Sequence, residues 1–179
     1  MSEYHYISGD IFDLQKIRHI LQQNLLLKLS EEAIANITKC RNYLETKLAT
    51  NQQPIYGINT GFGSLCNVKI SEENLSKLQE NLVMSHACGT GERVPEEIVK
   101  LMVLLKIQSL SYGHSGVQLA TVQRLMAFYN NGALPVVYTQ GSLGASGDLA
   151  PLAHLSLPLI GKGEMYFEGS IQSAEKVHE

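Results

Sequence analysis

The sequence predicts a mainly α chain with a few short β strands and glycine-rich loops. Three observations predict it. Apolar residues recur at three- and four-residue spacing over long windows, strand-like runs are short and few, and several of the 15 glycines gather in three loops.

In chain order, Tyr4 to Ser8 reads as a strand, and Asp13 caps a helix with Leu14, Ile17, Ile20 and Leu21 on one face. After Ser30, Glu31 and Glu32 favour the positive end of a second helix, whose stripe is Ala33, Ile37, Cys40, Leu44 and Leu48 before Asn51 to Pro54 end it. Ile55 to Ile58 reads as another strand. Ser71 opens a third helix, with Glu72 and Glu73 in its first turn and Leu75, Leu78 and Leu82 inward. Pro95 suits the first helical position, and the run from Ile98 to Leu110 is apolar nearly all round, which predicts a central, buried helix. Ser115 is expected to cap the next, carrying Val117, Ala120, Val122, Leu125, Met126 and Phe128 until Gly132 and Pro135 stop it. Val136 to Thr139 is a strand candidate, Asp148 caps a helix with Leu149, Pro151, Leu152 and Leu155, and Glu164 to Ile171 suits a hairpin around Glu168-Gly169. No linker divides the chain, so residues 1–179 are expected to form a single domain. Ser173 to His178 reads as the continuing middle of a surface segment, so the chain is expected to be the N-terminal piece of a longer protein.

With 44% hydrophobic residues the chain can bury a core, and a formal net charge of -3 offers no footprint for nucleic acid. Leu101 to Leu105, closed by Lys100 and Lys106, is far too short to span a membrane, and Met1 to His5 does not resemble a secretory signal. A cytoplasmic protein without nucleic-acid or membrane partners is expected. Cys40, Cys66 and Cys88 form no C-x-x-C pair and read as reduced, small buried hydrophobes. No histidine or carboxylate pattern implies a metal.

The glycine loops are Tyr56 to Gly63, Cys88 to Gly91 and Gly141 to Asp148, and loops this dense bring backbone close to a ligand or to another loop. Nucleotide motifs fail. Cys66 and Val94 stand where the dinucleotide fingerprint needs its third glycine, and Gly161-Lys162 lacks the first glycine and the hydroxyl of a P-loop. An anion nest after Gly147 is physically open. Ala145-Ser146-Gly147 admits a more specific chemistry. In a tight bend the Gly147 nitrogen attacks the Ala145 carbonyl carbon. Loss of two waters then leaves an imidazolone whose exocyclic methylene, from the Ser146 side chain, is electrophilic. Asp148 at the following cap turns the positive end of a helix toward that ring.

The string Gly141-Ser142-Leu143-Gly144-Ala145-Ser146-Gly147-Asp148-Leu149-Ala150-Pro151-Leu152-Ala153-His154 resembles the prosthetic-group signature of the aromatic amino acid ammonia-lyase and aminomutase family. Upstream, Tyr56-Gly57-Ile58-Asn59-Thr60-Gly61-Phe62-Gly63 resembles that family's catalytic tyrosine loop. Ser85-His86, after Asn81 to Met84, resembles the pair carried by histidine-specific members. The resemblance implies the helical N-terminal domain of that fold. It also implies a 4-methylidene-imidazole-5-one formed from Ala145, Ser146 and Gly147 as sole cofactor, without metal or nucleotide. Non-oxidative deamination of L-histidine to trans-urocanate and ammonia would follow.

Tyr56 is then expected to take the β-proton; a phenol ionises about three units above neutral pH, so the role calls for a positive environment or hydrogen bonds. His86 would read the substrate imidazole with Ser85 beside it; Asn59 and Gly63 would shape the tyrosine loop against the substrate, and Leu65 would line the pocket. His154 is expected to support the signature loop, His114 to serve a turn, and His5, His19 and His178 to be solvated. Family members form tetramers through later helices, so this piece alone is expected to be inactive. Competing readings are a lyase or aminomutase for another aromatic amino acid and a catalytically silent anion-binding fragment.

Overall fold

A computed structural model describes residues 3–50, 53–61, 70, 72–141, 147 and 149–179. Its elements are β1 (Tyr4–Ile7), α1 (Leu14–Gln22), β2 (Leu26–Leu29), α2 (Glu31–Thr50), α3 (Glu72–His86), β3 (Thr90–Arg93), α4 (Glu96–Ser111), α5 (Leu119–Asn131), β4 (Leu134–Pro135), β5 (Tyr138–Gln140), α6 (Leu149–Ser156), β6 (Glu164–Phe167), β7 (Ser170–Ser173) and α7 (Ala174–His178). A 3-10 turn over Leu157–Ile160 follows α6. The mainly α expectation holds.

Helix starts follow their caps. Asp13 Oδ1 accepts the Lys16 amide at 2.8 Å and Ser30 Oγ the Ala33 amide at 3.1 Å, each satisfying a donor that the first helical turn leaves over. β1 and β2 run parallel, with Tyr4 opposite Leu26, and α1 crosses between them. The free side of β2 is completed by a side chain: Asn130 of α5 accepts the Leu27 amide at 2.7 Å and donates to the Leu27 carbonyl at 2.9 Å.

α4 is the centre of the core. Val99, Val103, Leu104 and Ile107 are fully buried and meet Val122, Leu125 and Phe128 of α5, Ile37 of α2 and Leu155 of α6 in one cluster. Burial is not all round, because Ile98 and Leu105 on the opposite side remain over 40% exposed. The hairpin forms as expected, β6 pairing β7 with Glu168 and Gly169 both at positive φ, the geometry that matches the twist of the two strands.

Four expectations are corrected. Ile55 to Ile58 is a turn, because the Ile58 and Asn59 amides both return to the Ile55 carbonyl. Ser115 does not cap α5, which starts at Leu119 after Gln118. Between them Gly116 holds φ +69° under the Leu44 side chain, and its carbonyl receives Arg41 Nη1 at 3.3 Å. The strand expected over Val136 to Thr139 divides between two sheets: the Val136 amide donates to Glu164, whereas the Val137 carbonyl accepts from Val94. Finally, Ser173 to His178 is a capped short helix with Ala174 buried, not merely a surface segment. The sequence missed β2 and β3, four-residue strands whose partners lie elsewhere in the chain.

Other expectations concern individual side chains. Cys88 is exposed and Cys40 half-buried, so neither is a fully buried hydrophobe. His5 is half-buried against Phe12, whereas His19 and His178 are exposed as expected, His178 with its ring stacked on Phe128 at 5.7 Å. Cys66 and Ser71 lie outside the described residues. Among the described residues no helix is long and apolar enough to cross a membrane.

Candidate active site

The turn carrying Tyr56 is closed by its own polar groups. Gly57 takes φ +70°, a conformation glycine adopts without steric cost. Asn59 is 4% exposed, and its side chain is engaged within the loop: Oδ1 accepts the Ile55 amide at 2.7 Å and Nδ2 donates to the Gln53 carbonyl at 3.4 Å. Buried Thr60 accepts the Gly57 amide and donates to the Gly61 carbonyl. The Tyr56 ring stands outside this framework, 63% exposed.

Gln79 docks the loop on α3, its Nε2 donating to the Ile58 carbonyl at 3.0 Å and the Gly57 carbonyl at 3.4 Å. Two turns further, about 10 Å along the axis, the helix ends at His86. There Nδ1 lies 2.7 Å from the Leu82 carbonyl and 3.1 Å from Ser85 Oγ. A carbonyl oxygen only accepts, so the proton sits on Nδ1 and Nε2 is the acceptor of the neutral ring. Ser85 Oγ donates to the same carbonyl at 3.0 Å. Both side chains thus fold back onto the carbonyl of Leu82 in the last turns of α3.

Beyond His86 the second glycine loop meets the third. The Gly89 amide donates to Nε2 of His154, on α6, at 2.9 Å. A Cβ on Gly89 would stand 2.9 Å from that nitrogen; one on Gly141 would stand 2.9 Å from Gly89 Cα. Gly141 also needs its φ of +118°. The loops therefore touch backbone to backbone, and the pairing of β3 with β5 carries the contact onward. His154 packs against the Tyr138 ring at 5.1 Å, and burial holds its pKa below the usual imidazole value. At the head of α6, Gly147 has φ +67° with open space where a Cβ would be. A left-handed bend at a glycine just before a helix start fits ring closure at that nitrogen and negative charge beside it.

Tyr56's loop, Ser85 and His86 are thus brought onto one helix, and the segment after His86 is joined to Gly141 and α6. Gly63, Leu65, Ala145, Ser146 and Asp148 lie outside the described residues. Sequence reasoning missed Gln79, whose signal was its seven-residue spacing from His86 on one helix face. It also missed the Gly89 partner of His154, 65 residues away, for which no local pattern exists. A separate cleft of about 250 Å³ lies among α5, β6 and α7, lined by Arg124, Phe128, Phe167 and His178, and contains none of these residues. Among the described residues no three His, Cys, Asp or Glu side chains cluster as metal ligands.

The chain is 45% identical over 98% of its length to a histidine ammonia-lyase of Legionella pneumophila and covers 35% of that protein. An ergothionase of Treponema denticola superposes with a TM-score of 0.91 at 27% identity, over 97% of this chain and 35% of its own. For a histidine ammonia-lyase of Trypanosoma cruzi the score is 0.84 at 30% identity, over 97% and 34%. The chain thus spans about a third of the length of the curated relatives it matches. A sequence profile of aromatic amino acid lyases matches residues 12–179, and the chain therefore belongs to the aromatic amino acid lyase family.

Proposed function

We propose that this chain is the N-terminal, single-domain part of an enzyme that removes ammonia from L-histidine to give trans-urocanate. The observation that carries the reading is the place of His86, which ends α3 two turns beyond the point where Gln79 docks the tyrosine loop, with Nδ1 2.7 Å from the Leu82 carbonyl. Identity to histidine ammonia-lyases supports the same choice.

In the reaction the substrate's Cα–N bond and one Cβ–H bond break, a Cα=Cβ bond forms, and nitrogen leaves as ammonia. A methylidene-imidazolone formed from Ala145, Ser146 and Gly147 supplies the electrophile that makes the amine a better leaving group. The Tyr56 phenolate oxygen accepts the β-proton, and Asn59 keeps its loop closed. Gln79 fixes that loop at one point of α3 and His86 reads the imidazole two turns on, so one rigid helix sets the distance between base and substrate ring. The amides at the start of α6 favour negative charge at the Gly147 end. The remaining pocket walls come from later segments and from partner subunits of a homotetramer in the cytoplasm.

The test uses the full-length protein. Urocanate should accumulate from L-histidine far faster than cinnamate or coumarate from phenylalanine or tyrosine, and the peptide spanning Ala145 to Gly147 should weigh two waters, about 36 Da, less than its sequence. His86→Leu should depress histidine turnover more than turnover of other aromatic substrates, because a polar partner is left unpaired. An unmodified peptide mass, or equal losses on every substrate, would overturn the ring or the assignment of His86 respectively.

A further inference from the structure

We infer that His154 is a positioning residue: by accepting the Gly89 amide it ties the segment that follows His86 to α6, and so sets the separation between the imidazole-reading side chain and the head of that helix. The inference deepens the proposed lyase reading and rests on it for its catalytic meaning.

The contact is built for this purpose from both sides. His154 is 9% exposed and its hydrogen bond part-buried, so leaving that bond unmade costs the half-buried Gly89 amide its partner. Tyr138 fixes the ring edge-on at 5.1 Å, and its own hydroxyl donates to Glu164 at 3.2 Å, which anchors the assembly to β6. On the other side, the approach is open only because residue 89 lacks a Cβ, which would collide with Nε2. Gly141 then closes over Gly89 from the start of the signature loop. Two chain segments distant in sequence therefore meet at one imidazole nitrogen, with a third closing over Gly89, and that nitrogen must be an acceptor. Ring shape alone would leave the Gly89 amide unsatisfied. His86 lies only three residues before Gly89, so release of this tether displaces the end of α3 relative to α6, and misplacement by about 1 Å costs roughly 100-fold in rate.

The experiment compares full-length wild type with His154→Phe, His154→Gln and Gly89→Ala. Amide hydrogen exchange over residues 87–91 is measured with kcat and KM for L-histidine and the mass of the Ala145–Gly147 peptide. His154→Phe keeps an aromatic ring against Tyr138 but no acceptor. It should speed exchange over 87–91 and lower kcat/KM about 10- to 100-fold while the two-water mass loss stays complete. His154→Gln offers an oxygen acceptor at similar reach and should restore slow exchange and most of the activity. Gly89→Ala leaves His154 in place yet pushes its ring away, and should reproduce the phenylalanine variant even if that variant folds poorly. Wild-type exchange and kinetics in His154→Phe, or a glutamine variant as damaged as the phenylalanine one, would overturn the inference. If the wild type leaves histidine unreacted while exchange follows the expected pattern, the tether stands and the lyase reading falls.

Discussion

Tyr56 and Asn59, three residues apart, do opposite work. Asn59 turns inward and closes the loop; Tyr56 is left outside it. Replacing Tyr56 by Phe keeps the ring and removes one hydroxyl, so the full-length protein should still fold and its Ala145–Gly147 peptide should still lose two waters. Turnover of L-histidine should fall by at least about 100-fold, the scale for loss of a positioned proton-transfer group; near-normal turnover would move the base elsewhere. At this scale the sequence was legible where a side chain acts on its own neighbours. Asp13 as a cap and the start of α2 after Ser30 depend on residues within three positions, and Tyr56 was marked by its motif. Gln79, Asn130 and the acceptor role of His154 were not legible, because each side chain binds backbone that only the fold brings near.

Elements divide in the same way. The helices were readable because their buried faces recur with the helical period, as Val99, Val103 and Ile107 do in α4. β3, Thr90 to Arg93, is exposed along its length and has no apolar alternation; it is a strand only because β5 pairs with it. The start of α5 was misplaced because Gly116 holds a left-handed backbone under α2, a tertiary constraint stronger than the local capping preference of Ser115. Two glycines at helix ends separate conformational strain from collision. Gly132, after α5, has φ +66° and open space around a Cβ; Gly113, after α4, has φ +71°, and a Cβ added there would stand 2.5 Å from the Asn36 carbonyl oxygen. Gly132→Ala should cost about 1 to 2 kcal/mol, the left-handed strain alone. Gly113→Ala should cost clearly more in urea denaturation, since α2 must also move. Equal losses would mean that α2 yields freely.

At the scale of the whole molecule, the described histidines with shifted pKa values, His5, His154 and His178, are all lowered, burial being the leading cause in each. The unfolded chain therefore binds protons that the folded one does not. Their contribution leaves stability level above the unfolded value near 6.5 and makes it fall as pH drops from there through the lowered folded values. Melting temperatures of wild type and His154→Gln between pH 7.5 and 5 should show the shallower decline in the variant; parallel curves would remove His154 from the effect. The order of assembly also follows from the arrangement of β1, α1 and β2. That unit lies within the first 29 residues, so its parallel pairing closes a short loop. Its outer edge is satisfied only when Asn130 arrives from 103 residues away. Such a late clasp belongs to the native state more than to the transition state. Asn130→Ala should therefore hasten unfolding several-fold while leaving the refolding rate nearly unchanged in stopped-flow measurements. The small parallel unit at the N-terminus would then be a seed whose lifetime, rather than whose birth, is governed by a residue far along the chain.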